Sequence, residues 1–299
     1  MPSAPCDALI KQGYQFFSRT SSAALKPCMW CKRALAGGDM CYKHQFYGIT
    51  SHRCVQMTPT LRCNQRCLFC WRSFEHEITG EEECSPDTIF SGIHKLQKKA
   101  LAGYNAVLQN SVTKELWQEA LNPNHVAISL SGEPTLYSQL PELISLFNQK
   151  GYTTFLVSNG TNPSILARCR PYQMYVSLTA PDNETYRKVC RPVGDTWELI
   201  KESLTLLGGQ RSAVRITLVK GYNDHSPERY AAMLQESGAN FVEVKGYMYL
   251  GYSRNRLVRE NMPDHDLVRA FAAKIATTCD YRIKDEKQIS RVVCMERIK

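Results

Sequence analysis

Three cysteines, Cys63, Cys67 and Cys70, fall within eight residues of the stretch "LRCNQRCLFCWR". Structural zinc takes four ligands, often as paired C-x2-C units, so three clustered thiols leave a coordination position open. On a [4Fe–4S] cube the open position is an iron with no protein ligand, free to take a small molecule. The C-x3-C-x2-C gaps suit a loop wrapped around such a cube and do not repeat on one helix face. A zinc knuckle, or three idle thiols, is the competing reading. A second group lies upstream at Cys28, Cys31, Cys41 and Cys54. Cys28, Cys41 and Cys54 are separated by twelve residues each time, while "CMWC" invites a four-thiol reading as in a ferredoxin or a zinc ribbon.

The elements that must position these residues alternate in type. From residue 55 onward the candidate strands are "VQMTPT", "HVAISLSG", "YTTFLVSNG", "QMYVSLTA", "AVRITLVKG" and "NFVEVKGYM". Helical stretches separate them, several opening at Ser, Pro or Asp and closing at Gly. Such alternation implies crossovers and a parallel sheet, either doubly wound or an incomplete barrel. The three-cysteine loop follows the first strand, at a carboxyl end where α/β proteins build active sites. Residues 1–54 read as an irregular, cysteine-rich, basic extension and 55–299 as the main domain. The acidic stretch "EHEITGEEECSPD" reads as a solvated loop before the first long helix.

Composition narrows the class. The chain has 299 residues, 43% hydrophobic and 22% charged, as in an ordinary globular protein. No apolar run approaches the roughly 20 residues of a membrane helix, and the N-terminus lacks a secretory pattern. Thirteen cysteines, an odd number crowded toward the N-terminus, point to a reduced, cytoplasmic, metal-binding protein rather than a disulfide framework. A net charge of +9 suits a polyanionic partner.

"CNQRCLFC" resembles the C-x3-C-x-aromatic-C signature of radical S-adenosylmethionine (SAM) enzymes, with Phe69 as the aromatic. The resemblance implies a partial (β/α)6 TIM-like barrel. It also implies a cluster on Cys63, Cys67 and Cys70 whose open iron chelates the SAM amino and carboxylate groups. "SLSGEP" (Ser131, Gly132, Glu133) resembles the glycine-rich turn that receives the SAM amino group. Asn159 in "SNG", with Ser177 and Thr179 in "YVSLTAP", stand where the family places further SAM contacts. The pair "CYKHQFYGI…SHRC" and "CNQRCLFCWR" resembles the archaeal tRNA 4-demethylwyosine synthases over nearly the whole chain. In that family Cys28, Cys41 and Cys54 would hold a second [4Fe–4S] cluster, with Cys31 outside it.

The resemblance further implies the reaction. N1-methylguanosine at position 37 of tRNA-Phe takes two carbons from pyruvate, closing a third ring, with an external electron donor and a monomeric enzyme. Lys43 matches the lysine implicated in a Schiff base with pyruvate, and a dry, positive surrounding would favour its neutral amine. "KGYMYLGYSRNRLVR" holds four Lys/Arg and no acid, interleaved with tyrosines. Arg254, Arg256, Arg259 and Tyr252 are its candidate tRNA contacts, through phosphate pairing and base stacking. Other radical SAM enzymes with an auxiliary cluster, namely activating enzymes or maturases, form the rival enzymatic reading. A basic zinc protein associated with RNA forms the non-enzymatic one.

Overall fold

The computed structural model describes residues 4–74, 82–107 and 111–298; residues 75–81 of the acidic stretch lie outside this set. The chain divides into two compact units. One comprises residues 1–62, 76–157 and 169–172, the other residues 63–75, 158–168 and 173–299.

In the first unit, β1 (Gln15–Phe16) pairs antiparallel with β2 (Ala24–Leu25), and β2 with β3 (Cys54–Thr58). From β3 onward the pairing is parallel, through β4 (His125–Ile128) to β5 (Thr153–Ser158). The intervening helices are Pro86–Leu101, Ser111–Ala120 and Leu140–Gln149. Ser85 opens the first of them by accepting a hydrogen bond from the Thr88 amide at 3.2 Å, which satisfies one orphan donor of the first turn. The extension expected to be irregular is largely ordered. It forms helices Ala4–Lys11, Met29–Leu35 and Tyr42–Tyr47, the last two too short to show an apolar period in sequence.

In the second unit β6 (Gln173–Ser177), β7 (Ser212–Leu218) and β8 (Phe241–Gly246) run parallel. All six strands read from the sequence are therefore present, with the expected helices between them. Asp182 and Asp264 cap helices Asn183–Cys190 and His265–Ala276, each accepting at 2.8 Å from an amide three residues on. Gly238, at φ 59°, ends helix Pro227–Ser237 in the left-handed conformation. An unanticipated antiparallel pair completes the sheet edge: β10 (Val292–Arg297) joins β8, and β9 (Tyr281–Lys287) joins β10. In β9 one face is solvated and carries charge, so the strand lacks the apolar run that marks its buried neighbours.

The register places Ser177, Arg215 and Glu243 side by side on β6, β7 and β8. Glu243 is fully buried and accepts from Arg215 Nε at 3.1 Å and Nη2 at 2.9 Å. The Arg215 guanidinium also lies over the Tyr175 ring, 4.7 Å from its centre. Removing one partner of a buried pair strands the other's charge, at a cost of about 3–5 kcal/mol. Glu243→Ala is expected to lower the unfolding free energy by that amount, and Glu243→Gln by less, in denaturant unfolding followed by circular dichroism.

Candidate active site and cluster-binding cysteines

The cysteine loop of the second unit is built on a helix end. The last carbonyls of an α-helix have no partner within it. Here those of helix Asn183–Cys190 and its C-cap accept from the loop: Leu68 N–H donates to Val189 O at 2.9 Å, and Arg66 N–H is shared between Cys190 O and Arg191 O at 3.0 and 3.1 Å. Val193 N–H returns to Asn64 O at 2.9 Å. Gln65 is buried, donating to Tyr186 Oη at 2.8 Å and accepting from Cys67 Sγ at 3.3 Å. Cys63, Cys67 and Cys70 are all half-buried, and none of the twelve described cysteines is in a disulfide.

The Cys67 and Cys70 thiols sit in a dry setting. A hydrogen bond with Cys190, followed by burial, pushes the Cys67 thiol well up. Burial pushes Cys70 up, opposed by the guanidiniums of Arg72 and Arg256. Unligated thiols are therefore held protonated, while a cationic iron would take them as thiolates. Three cysteine sulfurs on one pinned loop suit a cube with an open iron. Among the described residues no three His, Cys, Asp or Glu side chains converge on a single-ion site. Cys190 also meets the Thr179 hydroxyl at 2.8 Å.

The other sequence-predicted SAM residues divide. In the first unit Gly132 has φ +79°, and an added Cβ would lie 2.2 Å from the Thr60 carbonyl oxygen. Glu133 N–H donates to Arg62 O at 2.7 Å, so this turn is laid directly on the residues entering the cysteine loop. The Glu133 carboxylate is buried and accepts from the Thr135 amide and hydroxyl at 3.1 and 2.8 Å. Ser131 Oγ lies 3.5 Å from Tyr14 Oη. In the second unit Asn159 Nδ2 donates to Asn64 Oδ1 at 2.9 Å, and its own Oδ1 accepts from Thr161. Phe69 packs against the buried group of Leu68, Val219, Tyr247 and Leu257. Ser177 is partly open on the face it shares with Arg215.

The upstream cysteines gather in the first unit. Cys28 caps helix Met29–Leu35, its sulfur accepting from the Cys31 amide at 3.3 Å. Cys41 stands at the corresponding position of helix Tyr42–Tyr47; its amide donates to Ser51 Oγ at 2.9 Å, whose hydroxyl donates to Cys41 Sγ at 3.3 Å. Burial raises the thiols of Cys28 and Cys54, with Cys41 adding to the rise and the Lys43 ammonium opposing it in both. These three sulfurs, Cys31 and Lys43 thus share one electrostatic neighbourhood. Cys31 contributes its backbone to the cap, while its own side chain is fully buried among Leu35, Leu101 and Ala120 and donates to His52 O at 3.8 Å. Lys43 Nζ lies 4.7 Å from the centre of the Phe155 ring.

The basic segment after β8 is a 3-10 turn, Gly251–Asn255, with flanking loops rather than a helix. Arg254 and Arg259 are exposed and lean on the Tyr249 ring, and Tyr252 and Trp71 expose 38% and 37% of their surface. Tyr247 is buried, with its hydroxyl 2.9 Å from Ser253 Oγ, so it belongs to the core. Arg256 differs from its two neighbours: it is half-buried against the carbonyls of the cysteine loop, a contact that its place in a basic run does not signal.

Residues 57–234 match the Radical SAM superfamily, and residues 236–297 match the Wyosine base formation family. Fold and cysteine loop thus define a radical SAM enzyme, a class that works with SAM and a [4Fe–4S] cluster. An S-adenosyl-L-methionine-dependent tRNA 4-demethylwyosine synthase from Pyrococcus horikoshii is 45% identical over 99% of this chain and 90% of its own. A solved structure of TYW1 with a lysine–pyruvate adduct bound aligns with a TM-score of 0.89 at 37% identity, covering 99% of this chain and 96% of that one. A crystal structure of archaeal TYW1 aligns at 0.81 and 33% over the same shares. The chain belongs to the tRNA 4-demethylwyosine synthase family.

The Gly132 turn gives a direct test of this geometry. Gly132→Ala sets a Cβ against backbone at a positive φ, where a side chain costs more than about 1 kcal/mol even without a clash. The variant is expected to lose at least ~2 kcal/mol of stability in denaturant unfolding, whereas Gly103→Ala, with open space around its Cβ, changes little.

Proposed function

We propose that this chain condenses N1-methylguanosine 37 of tRNA-Phe with pyruvate to form 4-demethylwyosine, acting as a carbon–carbon lyase on pyruvate. The observation that carries the reading is the grouping of Lys43 with Cys28, Cys41 and Cys54. It is supported by family membership and by the lysine–pyruvate adduct of a relative 37% identical to this chain.

Residues 1–54 form the extension that carries the second cluster, and residues 55–299 the radical SAM domain with its tRNA-binding elements. Cys63, Cys67 and Cys70 hold the SAM cluster; Cys28, Cys41 and Cys54 hold the auxiliary one, and Cys31 serves the fold. Held on Cys63, Cys67 and Cys70, a cluster reduced by an external donor would supply the electron that splits SAM into methionine and a 5′-deoxyadenosyl radical, which would take hydrogen from the N1-methyl group. In the second unit, Asn159 and Ser177 orient SAM. Thr179 supports that site through Cys190. The Lys43 amine attacks the pyruvate ketone and releases water, so the carbonyl carbon is held as an imine. Phe155 keeps water from one side of that amine, and Ser51 orients the Cys41 sulfur. Trp71, Tyr252, Arg254 and Arg259 receive the anticodon loop, and the target base leaves its stack to react. The enzyme works as a monomer in the reducing cytoplasm.

Anaerobic incubation with SAM, reductant, pyruvate and tRNA carrying N1-methylguanosine 37 is expected to yield the tricyclic nucleoside by mass. No product from protein holding about eight irons would overturn the reading. Replacing Cys28, Cys41 and Cys54 together by Ala should remove about four irons, stop product formation and leave SAM cleavage measurable. Cys31→Ala should leave the iron content unchanged. Lys43→Arg keeps the charge but cannot form the imine. It is expected to bind both clusters and tRNA, to give no borohydride-trapped pyruvate adduct, and to make no product.

A further inference from the structure

Arg256 lies in the basic run, yet its guanidinium is turned inward. Nε donates to Leu68 O at 3.2 Å, and Nη2 donates to Cys70 O and to Arg72 O, the latter at 3.3 Å. Its plane lies over the Phe74 ring, 4.1 Å from the ring centre. A planar fork that meets three carbonyls and stacks on an aromatic is arginine chemistry that a lysine ammonium reproduces only as charge. The same segment touches the loop once more. Tyr252 N–H donates to Trp71 O at 2.9 Å, and a Cβ on Gly251 would lie 2.3 Å from that oxygen. Helix Asn183–Cys190 pins the first half of the cysteine loop, and the Gly251–Arg256 segment pins the second.

We propose that Arg256 is a positioning residue of the SAM cluster rather than a phosphate contact: it fixes the Leu68–Arg72 half of the loop and places a permanent cation beside Cys70. The proposal rests on the reading of Cys63, Cys67 and Cys70 as cluster ligands. Net charge and hydrogen bonding around a cluster set its potential, and a fixed cation favours the reduced, more negative state. Arg254 and Arg259, exposed on either side of Arg256 in sequence, are left as the phosphate contacts.

Arg256→Gln, Arg256→Lys, Arg254→Gln and Arg259→Gln proteins, reconstituted anaerobically, separate the two roles. Three readouts are needed: iron per chain, a redox titration of the cluster followed by electron paramagnetic resonance with and without SAM, and tRNA binding across a salt series. Arg254→Gln and Arg259→Gln should each lower the log–log salt slope by roughly 0.9 and leave the potential unchanged. Arg256→Gln should leave the slope unchanged and move the potential negative. Each tenfold loss of reduced cluster at a fixed reductant corresponds to about 59 mV for one electron. Arg256→Lys should restore the potential but not the line shape of the SAM-bound signal, because charge returns without the fork. An Arg256→Gln protein with a reduced slope and an unmoved potential overturns the proposal, as does one in which neither moves. Should the Gln variant not take up iron, the Lys variant decides: a wild-type SAM-bound signal overturns the proposal, an altered one at wild-type potential supports it. A separate control tests the underlying reading, which fails if Cys67→Ala retains all its iron and the SAM-responsive signal.

Discussion

The second unit hangs on the unpaired carbonyls at the end of helix Asn183–Cys190. A helix end buried without partners is costly, because each orphan carbonyl loses water and gains nothing. The cysteine loop supplies those partners through the Arg66 and Leu68 amides, so capping the helix and shaping the loop are one event. Arg191, at φ 46°, takes the left-handed conformation that turns the chain back toward Asn64. Cys190, the last residue of that helix, thereby meets Cys67, and Thr179, two residues beyond β6, meets Cys190. A loop that depended on metal alone for its shape would have no such scaffold.

The same principle governs the first unit with different parts. Gly132 admits the Thr60 carbonyl oxygen where any side chain would collide, and Glu133 both donates its amide to Arg62 and closes its own turn through Thr135. The chain entering the cysteine loop is therefore held by main-chain contacts, which carry no sequence signature beyond one glycine. In the second unit, polar residues named as SAM contacts meet protein partners: Asn159 is held by Asn64 and Thr161, and Thr179 by Cys190. Such partners lock rotamers, which is what a site needs if its geometry is to precede its ligand.

Much of this was legible in the sequence, and the rest failed for identifiable reasons. The six parallel strands announce themselves because both faces are buried and the residues are branched and apolar. β9 does not, because its solvated face carries Arg282, Lys284 and Glu286. The helices of residues 29–47 are too short for periodicity, and their caps are cysteines, which no propensity scale offers as N-caps. The motif cysteines could be read because their spacing is itself the chemistry. Arg256 could not, because a contact reaching back from residue 256 to residues 68–72 leaves no trace in local pattern. Nor could the Arg215–Glu243 pair, whose meaning appears only when strand register sets the two residues side by side.

The "CMWC" spacing shows how one pattern can serve two physical ends. Read as ligands, Cys28 and Cys31 suggest a closed four-thiol site. Read as a helix start, Cys28 is the N-cap and Cys31 is the third residue of the first turn, the position whose amide an N-cap side chain satisfies. The observed 3.3 Å contact from the Cys31 amide to the Cys28 sulfur is that bond. It helps a thiolate at Cys28, since hydrogen bonding to the charged form lowers the pKa that burial raises. The Cys31 sulfur meanwhile packs among Leu35, Leu101 and Ala120, where burial raises its pKa and favours the neutral thiol. Three residues apart, the Cys28 sulfur accepts a hydrogen bond while the Cys31 side chain packs as a small apolar group. The C-x2-C spacing is also that of an N-cap and the amide it satisfies in the first helical turn.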